Sequence, residues 1–396
     1  MTAEVPDEPL ALHALTFLDE DGEVTVGCAD TGAYVVLPSD GAELLRRLSD
    51  GLTQRQAVDW YLRAYGEPVD LADFVDALGE AGFLRSGAEV TGTGPVRWQR
   101  LGAMVFSPVG GACLAALVVT WLILMSRHPA FVPGYQQIFF TRYLTVIEVV
   151  TFLGQFPLLL IHEAAHALAG RRLGLRSRLS VGRRLYYLVF ETAMDGLVGV
   201  ERRKRYLPML AGMLADLAVC AILAVIADLT LNASGEPSLV GRIALALSFG
   251  TLLRIVWQFY FYLQTDLYYV AVTVMRCIDL QTVAREMLRD RFRKLLRRGG
   301  LPADSSRWHP RDRAVAKWYS WLLLAGYAFS IGTLVAVAVP AVSRMASLAI
   351  DAVRSGQAAR VLDVCVFIAL NLAQFLVLGY LALRSRRQRR APEPAI

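Results

Sequence analysis

Histidine is scarce in this sequence, with five in 396 residues. Cysteine is equally scarce. Cys28, Cys113, Cys220, Cys277 and Cys365 are scattered, and no two form a CxxC pair. That spacing excludes a cysteine metal site and a disulfide framework, and leaves the thiols as small apolar residues. Charge is thin as well: Asp, Glu, Lys and Arg make up 19% of the chain, against about 25% in a typical soluble domain. The opening "MTAEVPDEPLALHA" is acidic and has no basic n-region, so no secretory signal peptide is expected. No phosphate-binding glycine loop occurs. The basic clusters carry neither aromatic interleaving nor a DNA-binding motif, so nucleic acid is not an expected partner.

Apolar residues are abundant. They form 55% of the chain, and the mean hydropathy is +0.42. The expected fold class is a polytopic α-helical membrane protein with a small soluble part. Six segments, roughly 101–125, 143–169, 206–229, 242–267, 318–343 and 361–384, are each long enough to cross a hydrocarbon core about 30 Å thick. Lys and Arg orient them. Ten fall in 171–205, twelve in 276–317 and five in the tail "RSRRQRR". The opposite connections hold two (126–142), none ("TLNASGEPS") and three (344–360). The basic loops therefore share one side, and a multi-pass cell-membrane protein with both termini cytoplasmic is expected.

Residues 1–90 differ from the rest and read as a separate cytosolic domain, with 91–100 as linker and 101–390 as the membrane domain. "EVTVGCADTGAYVVL" alternates and reads as two short strands and a turn. "SDGAELLRRLSDGLTQRQAVDWYLRAYG" has helical period, with Ser39-Asp40 and Thr53 as expected caps, and "DLADFVDALGEAGFL" is a third helix opened by Asp70. "SGAEVTGTGP" (86–95) reads as loop. Over about residues 10–86 this order resembles the small α+β, winged-helix PqqD-like fold of peptide-modifying enzymes. The resemblance implies that the domain holds a leader peptide as an added strand at a sheet edge. The alternative is a regulatory or purely structural cytosolic domain.

The chemistry concentrates in "LLLIHEAAHALAG" (158–170). His162 and His166 are four apart, so on a helix they share a face and come within reach of one metal ion. Glu163 sits beside that face, placed to act as general base. Polar residues inside an apolar run are costly and mark function by default. Catalytic zinc usually takes three protein ligands. The remaining histidines, His13, His128 and His309, lie outside the expected spans. The third ligand is therefore sought among intramembrane carboxylates: Glu148, Asp216, Asp228 and Asp266. His162 is nine residues from Arg171 and Asp266 ten from Arg276, which places both about 14–15 Å inside the cytoplasmic face on regular helices. Glu148 and Asp228 fall toward the opposite face. Asp216 is the rival ligand, but it is equally placed to pair with Arg254, mid-span in the next segment, since an unpaired charge there is expensive.

Segments two to four, about residues 143–270, resemble the core of the site-2 protease family of intramembrane zinc metalloproteases, in which the first helix carries HExxH and the third an aspartate ligand. In the peptide zinc metalloprotease branch the aspartate sits in a motif like "RFDGYY". Here "LQTDLYYV" (263–270) aligns Asp266, Tyr268 and Tyr269 but has Leu267 where glycine is usual. That departure is expected to make the backbone less able to unwind. "AGMLADLAV" (211–219) is similar to the family's small-residue helix, with Asp216 in the place of a common asparagine. The resemblance implies Zn2+ held by His162, His166 and Asp266, with Glu163 catalytic.

"LYYLVFETAMDGLVGV" (185–200) is aromatic and β-branched, and Asp195-Gly196 is a hairpin signal. It reads either as an edge for an extended substrate, where Glu191 could assist, or as an ordinary surface hairpin. "AREMLRDRFRKLLRRGG" (284–300) is a basic amphipathic helix suited to an anionic leaflet. The expected function is a zinc-dependent membrane endopeptidase acting near the cytoplasmic face on a peptide or membrane-protein substrate, with a ribosomally made peptide recruited by its leader. The alternative is a non-hydrolytic peptide maturation, immunity or export factor that keeps a zinc site. A transporter is disfavoured, because no internal repeat is visible.

Overall fold

The structure is a computed structural model that describes residues 8–20, 22–28, 33–85, 96–184, 187–296 and 308–388. The expected loop 86–95 and the end of the basic tail lie outside the described residues.

The chain opens with strands β1 (Leu15–Glu20), β2 (Glu23–Cys28) and β3 (Ala33–Pro38). They form an antiparallel meander in that order, with Phe17 opposite Val26 and Val26 opposite Val35. Two strands were expected and three are present; "LTFLDE" ends in two acids and conceals its alternation. Three helices follow: α1 (Ser39–Ser49), α2 (Gln54–Tyr65) and α3 (Leu71–Glu80). Thr53 caps α2 in a full capping box with Gln56, and Asp70 caps α3 through the N–H of Asp73. Ser39 is not a cap. The N-cap position of α1 is Pro38, and the Ser39 hydroxyl donates instead to the carbonyl of Gly22 (2.7 Å). Val24, Val26 and Cys28 pack with Ala42, Leu45, Leu78 and Phe83, while Leu44 and Leu48 pack with Ala57 and Leu71. Each fully buried leucine contributes roughly 2 kcal/mol.

Helices dominate from there. They are α4 (Gln99–Val105), α5 (Pro108–Arg127), α6 (Leu144–Arg172), α7 (Arg202–Leu229), α8 (Leu239–Trp257), α9 (Asp266–Met275), α10 (Leu280–Leu295), α11 (Pro310–Ser355) and α12 (Ala358–Gln388). Strands β4 (Arg176–Arg184) and β5 (Tyr187–Asp195) form an antiparallel hairpin between α6 and α7. Among the described residues, five helices are long and apolar enough to cross a membrane: Pro108–Arg127, Leu144–Arg172, Arg202–Leu229, Leu239–Trp257 and Ala358–Val377. The remaining expected segment, 318–343, falls in α11, several of whose side chains lie outside the described residues.

Two expected segments are broken. Segment one is split at Phe106–Ser107, because Pro108 has no N–H to continue a helix and instead starts α5. Segment four was expected to run unbroken over 242–267. Instead α8 stops at Trp257, the 3-10 turn Phe261–Leu263 intervenes, and Gln264 adopts φ 55° before α9 begins. A left-handed non-glycine residue costs of order 1–2 kcal/mol. The backbone therefore unwinds without the missing glycine, and the strain falls three residues earlier than Leu267.

The chain forms two compact units, 1–113 with 161–215 and 114–160 with 216–396. In the first, Gly102 packs tightly on the backbone at Leu168, and Arg172 donates to the carbonyl of Phe106 (2.8 Å). In the second, Cys220, Ala221, Ala224 and Ala227 pack with Trp121, Leu124 and Leu245; small residues let helices approach closely. The N–H groups of Leu144 and Thr145, which open α6, donate to the Asp363 carboxylate of α12 (2.9 and 3.1 Å). That carboxylate satisfies donors no intrahelical partner can reach.

Candidate metal centre

In the first unit, α6 carries His162, Glu163 and His166, all nearly buried at 3%, 7% and 5% exposure. The two Nε2 atoms are 3.2 Å apart. Two nitrogens each about 2.05 Å from one tetrahedral ion would stand about 3.3 Å apart, so the spacing suits a shared cation. The Nδ1–H of His166 donates to the carbonyl of Pro208 on α7 (2.7 Å). A neutral imidazole fixed in this way presents its Nε2 lone pair as a ligand, the arrangement that tunes many metal sites. Gly212, one turn beyond Pro208, faces both imidazoles, and a Cβ there would collide with the Nε2 atoms of His162 and His166. This glycine permits the approach of α7.

Glu163 is held by the hairpin. The Thr192 hydroxyl on β5 lies 2.8 Å from Glu163 Oε2 and 3.1 Å from the same residue's backbone oxygen. The hairpin itself differs from expectation. Its strands are 176–184 and 187–195, and Asp195-Gly196 ends β5 instead of forming the turn. "RSRLSVGRR" was hidden because its arginines made it read as a basic loop. Glu191 pairs with Ser180 in the backbone register, but its side chain lies outside the described residues.

In the second unit, Glu148, Asp228 and Asp216 each have a polar partner. Glu148 accepts from Asn371 (3.1 Å) and Gln374 (2.9 Å) of α12. Asp228 lies 3.5 Å from His128 Nε2. Asp216, fully buried, pairs with Arg254: Nη2 reaches Oδ1 at 2.6 Å and Nε reaches Oδ2 at 3.0 Å. The expected ion pair is thus present, and Arg254 extends it to Gln155 (3.5 Å) and the carbonyl of Leu158 (3.4 Å).

Asp266 opens α9, where the positive end of the helix dipole favours a carboxylate. Its N–H donates to Gln258 Oε1 (2.9 Å), and the Thr265 hydroxyl donates to the Gln258 carbonyl (2.6 Å). Gln258 thereby bridges the end of α8 to the start of α9. The unwound segment is held further by Gln281, whose amide donates to the Tyr262 carbonyl (3.3 Å), and by Tyr319, which donates to Gln281 (2.8 Å). Tyr268 is buried against Tyr269 and Tyr319 and serves as packing.

One ligand atom each from His162, His166 and Asp266 lies within 4.8 Å of the other two. Two imidazole nitrogens and one carboxylate oxygen are the donor set of many catalytic zinc sites, which leave a fourth position open. By donor type and spacing these residues could hold such an ion. Thr192, Pro208, Gly212 and Gln258 carried no sequence signal that singled them out. Searches of family models, curated proteins and solved structures find no match to the chain.

Proposed function

We propose that this protein is a zinc-dependent membrane endopeptidase that cuts a peptide bond near the cytoplasmic face, with a site-2 protease type of core. The observation that carries this reading is the gathering of His162, His166 and Asp266 beside a buried glutamate that follows the first histidine. His162 and His166 through Nε2, and Asp266 through its carboxylate, would hold the ion. Zinc bound there supplies Lewis-acid polarisation of the scissile carbonyl and a nucleophile from water at neutral pH. Glu163 takes the proton of the attacking water and delivers it to the amine nitrogen as the C–N bond breaks. Its Oε2 accepts from the Thr192 hydroxyl, which holds the carboxylate in place.

A structural zinc would not need Glu163, so the enzyme is favoured over the non-hydrolytic maturation, immunity or export factor. The asymmetry of Lys and Arg between loops supports cytoplasmic termini. The N-terminal sheet, resembling the PqqD-like fold, would recruit the leader of a ribosomally made peptide by strand addition.

The test is metal content and peptide cleavage by the full chain in detergent, with a mixed decapeptide library read by mass spectrometry. Equimolar zinc, with cleavage lost on chelation and restored by zinc, is expected. Zinc retained by both His162→Ala and Asp266→Ala would rule the centre out.

A further inference from the structure

The sheet β1–β3 and the hairpin β4–β5 belong to the same compact unit, and a continuous set of contacts joins them to Glu163. Tyr34 on β3 stands opposite Gly27 on β2, and its ring lies so close over that residue that a Cβ there would collide with it. The same ring meets the turn that follows β5. Cβ atoms built at Gly196 and Gly199 would both collide with Tyr34. Gly196 also has φ 91°, so an L side chain is strained there in any case. The turn seats the tyrosine between glycines, and the outer face of β2 is buried as a result.

Along β5, alternate residues face α6. Thr192 meets Glu163, and Met194 meets Gly170, where a Cβ would stand 3.0 Å from its sulfur. Residues 163 and 170 are two helical turns apart, so the strand lies along the helix. The Thr192 hydroxyl spans the backbone oxygen and the carboxylate of one residue. It can thereby hold Glu163 in a single rotamer.

We propose that Thr192 is a positioning residue for Glu163, and that β5 links it to the N-terminal sheet seated by Tyr34 on Gly196 and Gly199. The peptide-recruiting domain then also sets the geometry of the general base. This rests on the endopeptidase reading for its kinetic consequence, while the Thr192–Glu163 bond stands apart from it.

The test uses the full chain in detergent and the best-cleaved decapeptide of the library. Thr192→Val keeps the shape and removes the hydroxyl. It is expected to lower kcat by about ten- to a hundredfold, the scale of a small misplacement of a catalytic group. KM should stay within twofold and zinc content should not change. Thr192→Ser should restore kcat, and Tyr34→Ala should lower kcat in the same sense with zinc retained. An unchanged kcat in Thr192→Val overturns the proposal. So does a Thr192→Ser variant as slow as Thr192→Val, which would mark a packing role, or a Tyr34→Ala variant altered in KM alone. A second measurement is independent of turnover: the melting temperatures of Thr192→Val, Glu163→Leu (which has no side-chain acceptor) and the double variant. Non-additive shifts support the bond and additive shifts overturn it. If the wild-type chain cleaves no peptide, the endopeptidase reading fails, and this cycle still decides the bond.

Discussion

His166 donates from Nδ1 to the backbone oxygen of Pro208 at 2.7 Å, and so leaves its Nε2 facing that of His162. Gly212 on the same face of α7 makes room for both rings. In an exposed helix, Gly→Ala stabilises by about 1 kcal/mol. At Gly212 the opposite sign is predicted: Gly212→Ala should lower both the melting temperature and the zinc content. Zinc analysis and thermal unfolding of the purified variant check it, and a more stable variant with full zinc would show that the rings do not need this approach.

Asp216 and Arg254 form a bidentate pair that buries the carboxylate completely. Removing one partner of a buried pair typically costs about 3–5 kcal/mol, whereas replacing both by apolar residues is often near neutral. Asp216→Asn should therefore destabilise the fold while zinc stays bound, and the double change to leucine should recover much of the loss. A folded Asp216→Asn protein without zinc would make Asp216 a ligand in place of Asp266.

Gln258 fixes the break before Asp266 by accepting from its N–H. Gln258→Leu should weaken zinc binding by about ten- to a hundredfold, the usual effect of losing a supporting hydrogen bond. Gln258→Glu, which keeps the acceptor, should retain more affinity. Competition with a chromogenic chelator measures both.

The N-terminal domain offers a pH test. The Tyr61 hydroxyl donates to Asp40 at 2.5 Å. That bond lowers the carboxyl's pKa and, with burial, raises the phenol's to about 12. The carboxylate's contribution is present above the ordinary Asp value near 4 and is lost as pH falls through its lowered value. The phenol's is present below about 10 and is lost as pH rises toward 12. Both groups are largely solvated, so the stabilisation is below about 1 kcal/mol. The stability gap between wild type and Tyr61→Phe should be flat from about pH 5 to pH 9 and close at both extremes. A gap that changes across neutrality would assign it to another group.

Much of this was legible in the residues, and the legible parts share a cause. Thr53 and Asp70 act locally, within three residues, so their capping roles could be read directly. The Asp216–Arg254 pair followed from the cost of an isolated charge in an apolar span. The ten residues from Asp266 to Arg276 run along α9 without a break, as the regular-helix count assumed. The break before Asp266 was not legible, because its strain falls on Gln264, a residue with no left-handed signature, and its support comes from Gln258, Gln281 and Tyr319, far apart in sequence. Strand β4 was hidden by its arginines, and with it the partner of Glu163. Thr192 is 29 residues from Glu163 and only the pairing of β5 with β4 identifies its strand.

The most direct test compares wild type with Glu163→Gln at equal zinc content on one cleaved peptide. The endopeptidase account predicts full zinc in both proteins and at least a hundredfold loss of turnover in the variant, the scale of a lost general base. Equal turnover by the two proteins would contradict it.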